Sequence, residues 1–354
     1  MEEKRINKEN NFTILHFLGT CMVIYGHQWV LLGEVAPGIL GNSVHALGVK
    51  LIFVISGFLI TQSFLRKGNL LSFLKRRLIR IFPALIFCII VSTLSLSILS
   101  PLGFFHYLRE SFTYVWHNIL LYPWYSLPDI FEDNPYPITV NGALWTLPVE
   151  VFMYFVIGIL LQLKQEIKNE NIGRNLYIAI ALVTIIWKYI YIYIYGFSDK
   201  SFDIIIWGTN WSSAMDLIPY MFIGSLFEVA ELKKYCNLQV SIILFILACC
   251  INVNYVELLT LIILPYFTMS FALSEKPYFS HCFKDGKFIY GMYLWGFPIQ
   301  QLLINIIYVR NSCHLSPNIF FIMSIILTIG MSLISYYLFE KPIEQLLIKK
   351  PHAL

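Results

Sequence analysis

The chain has 354 residues, of which 58% are hydrophobic and 13% are charged. Because soluble globular proteins carry about 25% charged residues, this composition excludes a soluble enzyme and predicts a polytopic membrane protein. The net charge of +4 is small, so the placement of the basic residues is more informative than their number. The first apolar stretch is too long for a signal peptide and lacks a small-residue cleavage site, so we expect an uncleaved first span.

Ten apolar stretches are long enough to cross a bilayer as helices. We therefore predict one all-α domain over residues 1–354, a polytopic transmembrane helical bundle. Its spans are expected at about 12–32, 44–65, 81–100, 145–163, 176–195, 212–230, 238–254, 256–274, 287–308 and 318–339.

The distribution of lysine and arginine predicts the orientation of the bundle. With the N-terminus inside, 20 of the 25 basic residues fall in cytoplasmic segments. Cytoplasmic loops carry an excess of lysine and arginine, so both termini are predicted to be cytoplasmic.

Two histidines interrupt the first span, His16 and His27. At 3.6 residues per turn they share nearly one face of the helix, roughly 16 Å apart along its axis. Ionisable residues inside a span are costly and are candidates for a functional site, although each could instead bond a neighbouring helix. At that separation the pair cannot share a metal, since ligand bonds are about 2 Å long, and no metal is expected.

Three arginines follow the second span in the sequence KRRLIRIFP. Arg76, Arg77 and Arg80 lie on about one turn of helix before Pro83. Guanidinium groups bind phosphate through two hydrogen bonds, so the turn is a candidate phosphate clamp. Determination of topology and contact with anionic lipid explain it equally well.

Residues 101–144 form the longest segment between spans, which is expected to be an external cap with one short helix near 104–121. The fourth span then places Glu150 at about the depth of His27. An imidazole that acts as an acid or base is commonly oriented by a carboxylate, so these two residues are the predicted catalytic pair. Asp216 is a second acid at similar depth, and Lys50 could pair with either acid, which would make the cluster structural.

Five ordered segments of the chain resemble the membrane acyltransferase-3 family of integral-membrane O-acyltransferases. These segments are NFTILHFLGTCMVIYGH at 11–27, FVISGFLI at 53–60, KRRLIRIFP at 75–83, LWTLPVEVFMYF at 144–155 and LFEKPIE at 338–344. Two positions depart from the family pattern: His16 stands where the family usually has arginine, and Lys50 stands where it often has an acid.

The resemblance implies transfer of an acyl group, expected to be acetyl, from cytoplasmic acetyl-coenzyme A to a hydroxyl of a surface or capsular polysaccharide or its lipid-linked precursor. It assigns catalysis to His27 and Glu150, and donor binding to His16, Arg76, Arg77 and Arg80. The expected location is the cell membrane, in contact with lipid and with no nucleic-acid partner. The alternative is a non-catalytic family member or a transporter or flippase component of glycan export.

Overall fold

A computed structural model describes residues 11–66, 68–195, 204–251, 253–274 and 286–348. Each of the ten predicted spans overlaps a helix. The helices are α1 Phe12–Leu31, α2 Val44–Leu65, α3 Leu70–Leu96, α4 Phe104–Glu110, α5 Phe112–Ile119, α6 Thr146–Glu166, α7 Glu170–Tyr195, α8 Trp211–Val229, α9 Leu238–Cys249, α10 Val253–Ala272, α11 Phe288–Ile304, α12 Pro317–Ser335 and α13 Lys341–Ile348. Two antiparallel two-residue hairpins, Gly38–Ile39 with Asn42–Ser43 and Ile205–Ile206 with Thr209–Asn210, join helices.

The helical elements confirm the predicted all-α membrane class. In the described part of the chain, six helical segments are both long and apolar enough to cross a bilayer: Phe12–Leu31, Val44–Leu65, Leu70–Leu96, Gly142–Glu166, Phe288–Arg310 and Pro317–Leu347. Such segments satisfy their own backbone hydrogen bonds, which lipid cannot do. The count of ten spans, the cytoplasmic termini and the single domain over the whole chain stay predictions.

Helix α2 lies at the centre of the bundle, between α1 and α8. Its contact with α8 depends on two glycines, because a Cβ at Gly57 would overlap the backbone of Met221 and one at Gly224 would overlap the backbone of Val54. Small residues permit this close approach of two helices in a membrane.

Helix α3 begins eleven residues before the predicted start of the third span. Asn69 caps it, since its side-chain oxygen accepts a hydrogen bond from the backbone N–H of Ser72 at 2.9 Å. Asparagine is a favoured residue at this position because it satisfies a free N–H of the first turn. The arginines at 76–80 therefore lie inside a continuous helix of 27 residues.

The predicted external cap contains two short helices, α4 and α5, divided at Ser111, where one helix was predicted. Its later part is attached to α11 by Gln301, whose amide donates to the carbonyls of Tyr136 (2.8 Å) and Thr139 (2.7 Å). The Asn134 amide in turn donates to the side-chain oxygen of Gln301 at 2.8 Å. We call residues 101–141 the cap, and the two ends of the bundle the cap end and the arginine end.

Candidate active site

A cleft with about 820 Å³ of empty space opens between helices α1, α2, α3, α6 and α11. Its polar lining comes from the five helices and comprises His16, Thr20, Ser56, Arg77, Arg80, Thr146, Glu150, Tyr154, Tyr290 and Tyr293. We call this space the arginine cavity.

The structure brings two of the three predicted arginines to the arginine cavity. Arg77 lies over the rings of Phe73 (5.7 Å) and Tyr154 (6.0 Å) and donates to the carbonyl of Leu59 at 3.3 Å. Arg80 lies at the rim, between the arginine cavity and a neighbouring pocket. In the described part of the chain, no carboxylate forms an ion pair with either guanidinium group, which leaves both able to bind an anion.

Arg76 does not belong to the predicted clamp. It is absent from the lining of the arginine cavity, and its Nη2 is buried without a hydrogen-bond partner among the described residues. Around the helix, residue 80 lies about 40° from residue 76 on one side and about 60° from residue 77 on the other, so the arginine cavity lies on the Arg77 side of Arg80.

Glu150 lies in the arginine cavity, and in the described part of the chain no hydrogen bond joins it to His27, its predicted partner. The hydroxyl of Tyr154, one turn further along α6, donates a hydrogen bond to the Glu150 carboxylate. Glu150 also lies within electrostatic reach of Arg80 and Arg77. Residues 150 and 154 share a helix face, and that face is turned towards α3 and the arginines.

The two histidines of α1 lie in different environments. His16 lines the arginine cavity, whereas His27 does not. The ring of His27 lies 5.4 Å from the ring of His45 and 5.3 Å from that of Phe297, measured between centroids. The first span therefore carries one histidine at each of two separate polar centres.

Sequence reasoning missed His45, at the start of α2. Its Nε2 lies 3.1 Å from the Ser43 hydroxyl, and its Nδ1 is buried without a partner among the described residues. Gly26 permits the contact with α1, since a Cβ there would lie 2.7 Å from the His45 Cβ. The antiparallel arrangement of two consecutive spans was the signal that could have found it, because residues near the connecting loop face one another.

Lys50 pairs with Asp216, as one predicted alternative required. The Lys50 ammonium lies 2.9 Å from one carboxylate oxygen of Asp216, and Lys188 lies 2.5 Å from the other. Both lysines are buried, and a buried charge requires such a partner. The cluster joins α2, α7 and α8, so it is structural.

Gln300 and Gln301, on α11, lie outside the lining of the arginine cavity. Gln300 donates to the Ile24 carbonyl of α1 at 2.8 Å, and Gln301 holds the cap as described above. Their amides connect helices and loops because both are fully buried and must find partners.

Fold and site together define an integral-membrane helical bundle with a basic cavity at one end and a histidine pair beyond it. The chain belongs to the acyltransferase family, since the family model described as "Acyltransferase domain" matches residues 10–337.

Named relatives agree with this assignment. The chain is 24% identical over 347 residues to an O-acetyl transferase of Shigella phage Sf6, covering 95% of this chain and 96% of that protein. It is 25% identical to Nodulation protein 10 of Rhizobium leguminosarum bv. viciae, covering 95% of this chain and 94% of that protein. It is 26% identical to O-acetyltransferase OatA of Staphylococcus aureus, covering 84% of this chain and 52% of that protein. No solved structure matches. The chain is therefore an O-acyltransferase.

Proposed function

We propose that this enzyme moves an acetyl group from cytoplasmic acetyl-coenzyme A to a hydroxyl of an exported or surface polysaccharide, or of its lipid-linked precursor, at the cell membrane. The observation that carries the proposal is the pair of polar centres along α1. His16 shares the arginine cavity with Arg77 and Arg80, and His27 lies eleven residues further along the same helix.

The arginine cavity is suited to the phosphates of the donor. Arg77 and Arg80 offer guanidinium groups that no carboxylate occupies in the described part of the chain, and phosphate accepts two parallel hydrogen bonds from such a group. The one acid in the lining, Glu150, is held by Tyr154. Glu150 therefore acts as a positioning residue for the arginines, in place of its predicted role beside His27.

His27 is the proposed general base. In the transfer, the C–S bond of the thioester breaks and a C–O ester bond forms. The hydroxyl proton goes to the imidazole of His27, and the departing thiolate takes a proton to become the thiol. The acyl group reaches the hydroxyl either on the extended arm of the donor or through a covalent intermediate on His27. Both routes require the imidazole of His27.

The test is the substitution His27→Gln, which keeps hydrogen-bonding capacity but cannot accept the proton. We expect acetyl transfer by the purified protein to a defined saccharide acceptor to fall by about 10²–10⁴-fold, the usual contribution of a general base. Mass spectrometry of the acceptor measures the product.

The matched control is His106→Gln in α4. His106 is exposed and its nearest charged partner is Glu110, at 3.8 Å, so its loss should leave transfer unchanged. Substantial transfer by the His27→Gln variant would contradict the role of His27.

A further inference from the structure

On α1, the lining of the arginine cavity ends at Thr20, seven residues or about two helical turns before His27. On α6 and α11 the lining includes Thr146 and Tyr293, whose hydroxyls hydrogen-bond at 2.7 Å. The next residue on the same face of α11 is Phe297, four positions after Tyr293. The ring of Phe297 meets the ring of His27 edge to face, so it lies between the end of the cavity and the histidine.

Phe297 fills this space closely. A Cβ on Gly142 would lie 2.7 Å from two ring carbons of Phe297, which shows that the ring touches the backbone there. The ring of Tyr136, in the cap, also packs against Phe297, with 6.3 Å between the two ring centroids. Only 6% of the Phe297 surface is exposed.

The neighbours of Phe297 are fixed in place. Asn141 accepts a hydrogen bond from the Ala143 N–H at 3.2 Å and donates one to the Leu294 carbonyl of α11 at 2.9 Å. These bonds hold the turn that contains Gly142 against α11. The room beside His27 is therefore set by the size of side chain 297, because the backbone opposite cannot move away freely.

We propose that Phe297 is the residue that limits the length of the acyl group, and that it makes the enzyme select a two-carbon acyl group over longer ones. The inference rests on the proposed function, in which the acyl carbon reaches His27 or a hydroxyl beside it. The tail of the acyl chain then occupies the volume next to the Phe297 ring. An acetyl group needs room for one methyl, whereas a butyryl group needs room for two further methylenes.

The experiment compares acetyl- and butyryl-coenzyme A as donors, with the full-length purified protein and one saccharide acceptor. In Phe297→Ala we expect the ratio of butyryl to acetyl transfer to rise by at least about tenfold, since one methylene in a fitted apolar pocket changes discrimination by about 10–200-fold. Phe297→Leu keeps most of the apolar volume and should raise the ratio by less.

The matched control is Phe87→Ala. Phe87 also packs against α11, with its ring 6.2 Å from that of Trp295, and is itself half-buried. Among the ring contacts of the described residues, Phe87 has none with His27. The ratio of butyryl to acetyl transfer by Phe87→Ala should therefore equal that of the unsubstituted protein.

Two failures can be told apart. An unchanged ratio in both Phe297 variants, with acetyl transfer intact in the unsubstituted protein, would overturn the role of Phe297 alone. If Phe297→Ala does not fold, the ratio of butyryl to acetyl transfer by Phe297→Leu tests the role of Phe297. No acetyl transfer by the unsubstituted protein to any saccharide acceptor would overturn the proposed function instead.

Discussion

Tyr154 contacts both an acid and a cation of the arginine cavity, and it uses a different part of its side chain for each. Its hydroxyl donates to the Glu150 carboxylate, and the face of its ring lies under the Arg77 guanidinium. A hydrogen bond to a charged group contributes about 1.5–3 kcal/mol, and a cation over an aromatic ring adds a smaller attraction. One tyrosine therefore orients both charges that face the proposed donor site.

Tyr154→Phe separates these two contributions, because it removes the hydroxyl and keeps the ring under Arg77. Without its donor, the Glu150 carboxylate is free to turn towards the arginines and to compete with the phosphates of the donor. We expect the dissociation constant for coenzyme A to rise by about tenfold, equal to about 1.4 kcal/mol, as measured by calorimetry in detergent.

Tyr177→Phe is the control for this prediction. The Tyr177 hydroxyl also makes a buried hydrogen bond, to the Ser225 hydroxyl, between α7 and α8 and away from the arginine cavity. Its removal should lower thermal stability without changing the affinity for coenzyme A. An equal loss of affinity in both variants would contradict the orienting role of Tyr154.

At the level of elements, α3 decides which arginines can act together. Within this one continuous helix, Arg77 and Arg80 line the arginine cavity and Arg76 does not. The same helix therefore contains the two arginines of the proposed phosphate clamp and a third, Arg76, that serves as their control.

Arg80→Gln should weaken binding of coenzyme A by at least about tenfold, since a charge-assisted hydrogen bond to phosphate is lost. The salt dependence of binding should also become shallower, because exposed charges are screened by salt. Arg76→Gln is the matched control, one turn away on the same helix, and should bind the donor as the unsubstituted protein does. A similar loss in both variants would favour the alternative that the arginines serve topology and lipid contact.

The helices and the arginine turn were predictable from the sequence, whereas the partners within the site were not. A run of apolar residues reveals a membrane helix directly, because lipid requires it. The structure places His16, Arg77 and Arg80 in the lining of one cavity, whereas in the sequence only the family resemblance associated them. The rotation of each helix about its axis depends on packing, which is why Glu150 was predicted beside His27 and faces the arginines instead.

His45 and Phe297 also show that contacts within the site depend on helix packing. Both contact His27, but neither lies near it in sequence. Their proximity arises from the close approach of α1 to α2 at Gly26 and of the turn at Gly142 to α11. The short loop between α1 and α2 could have indicated that His45 lies near His27, whereas the contact of Phe297 with the turn at Gly142 required the folded chain.

At the scale of the whole molecule, the charges of the described chain separate between the two ends. The arginine end carries Arg77 and Arg80, and Lys287 forms an ion pair with Glu344 at 2.8 Å beside the same pocket as Arg80. The cap contains one lysine or arginine, Arg109, and four exposed acids, Glu110, Asp129, Glu132 and Asp133. Since cytoplasmic segments carry the excess of lysine and arginine, this separation predicts that the arginine end faces the cytoplasm and the cap faces outward.

Single cysteines test that orientation in a variant whose seven native cysteines are replaced by serine. Ser72→Cys and Gln345→Cys lie at exposed positions near the arginine end, and Glu132→Cys is exposed in the cap. A membrane-impermeant maleimide should label Glu132→Cys in intact cells and the other two only after permeabilisation. Labelling of Gln345→Cys from outside would place the arginine cavity on the side that lacks acetyl-coenzyme A, which would contradict both the topology and the proposed source of the donor.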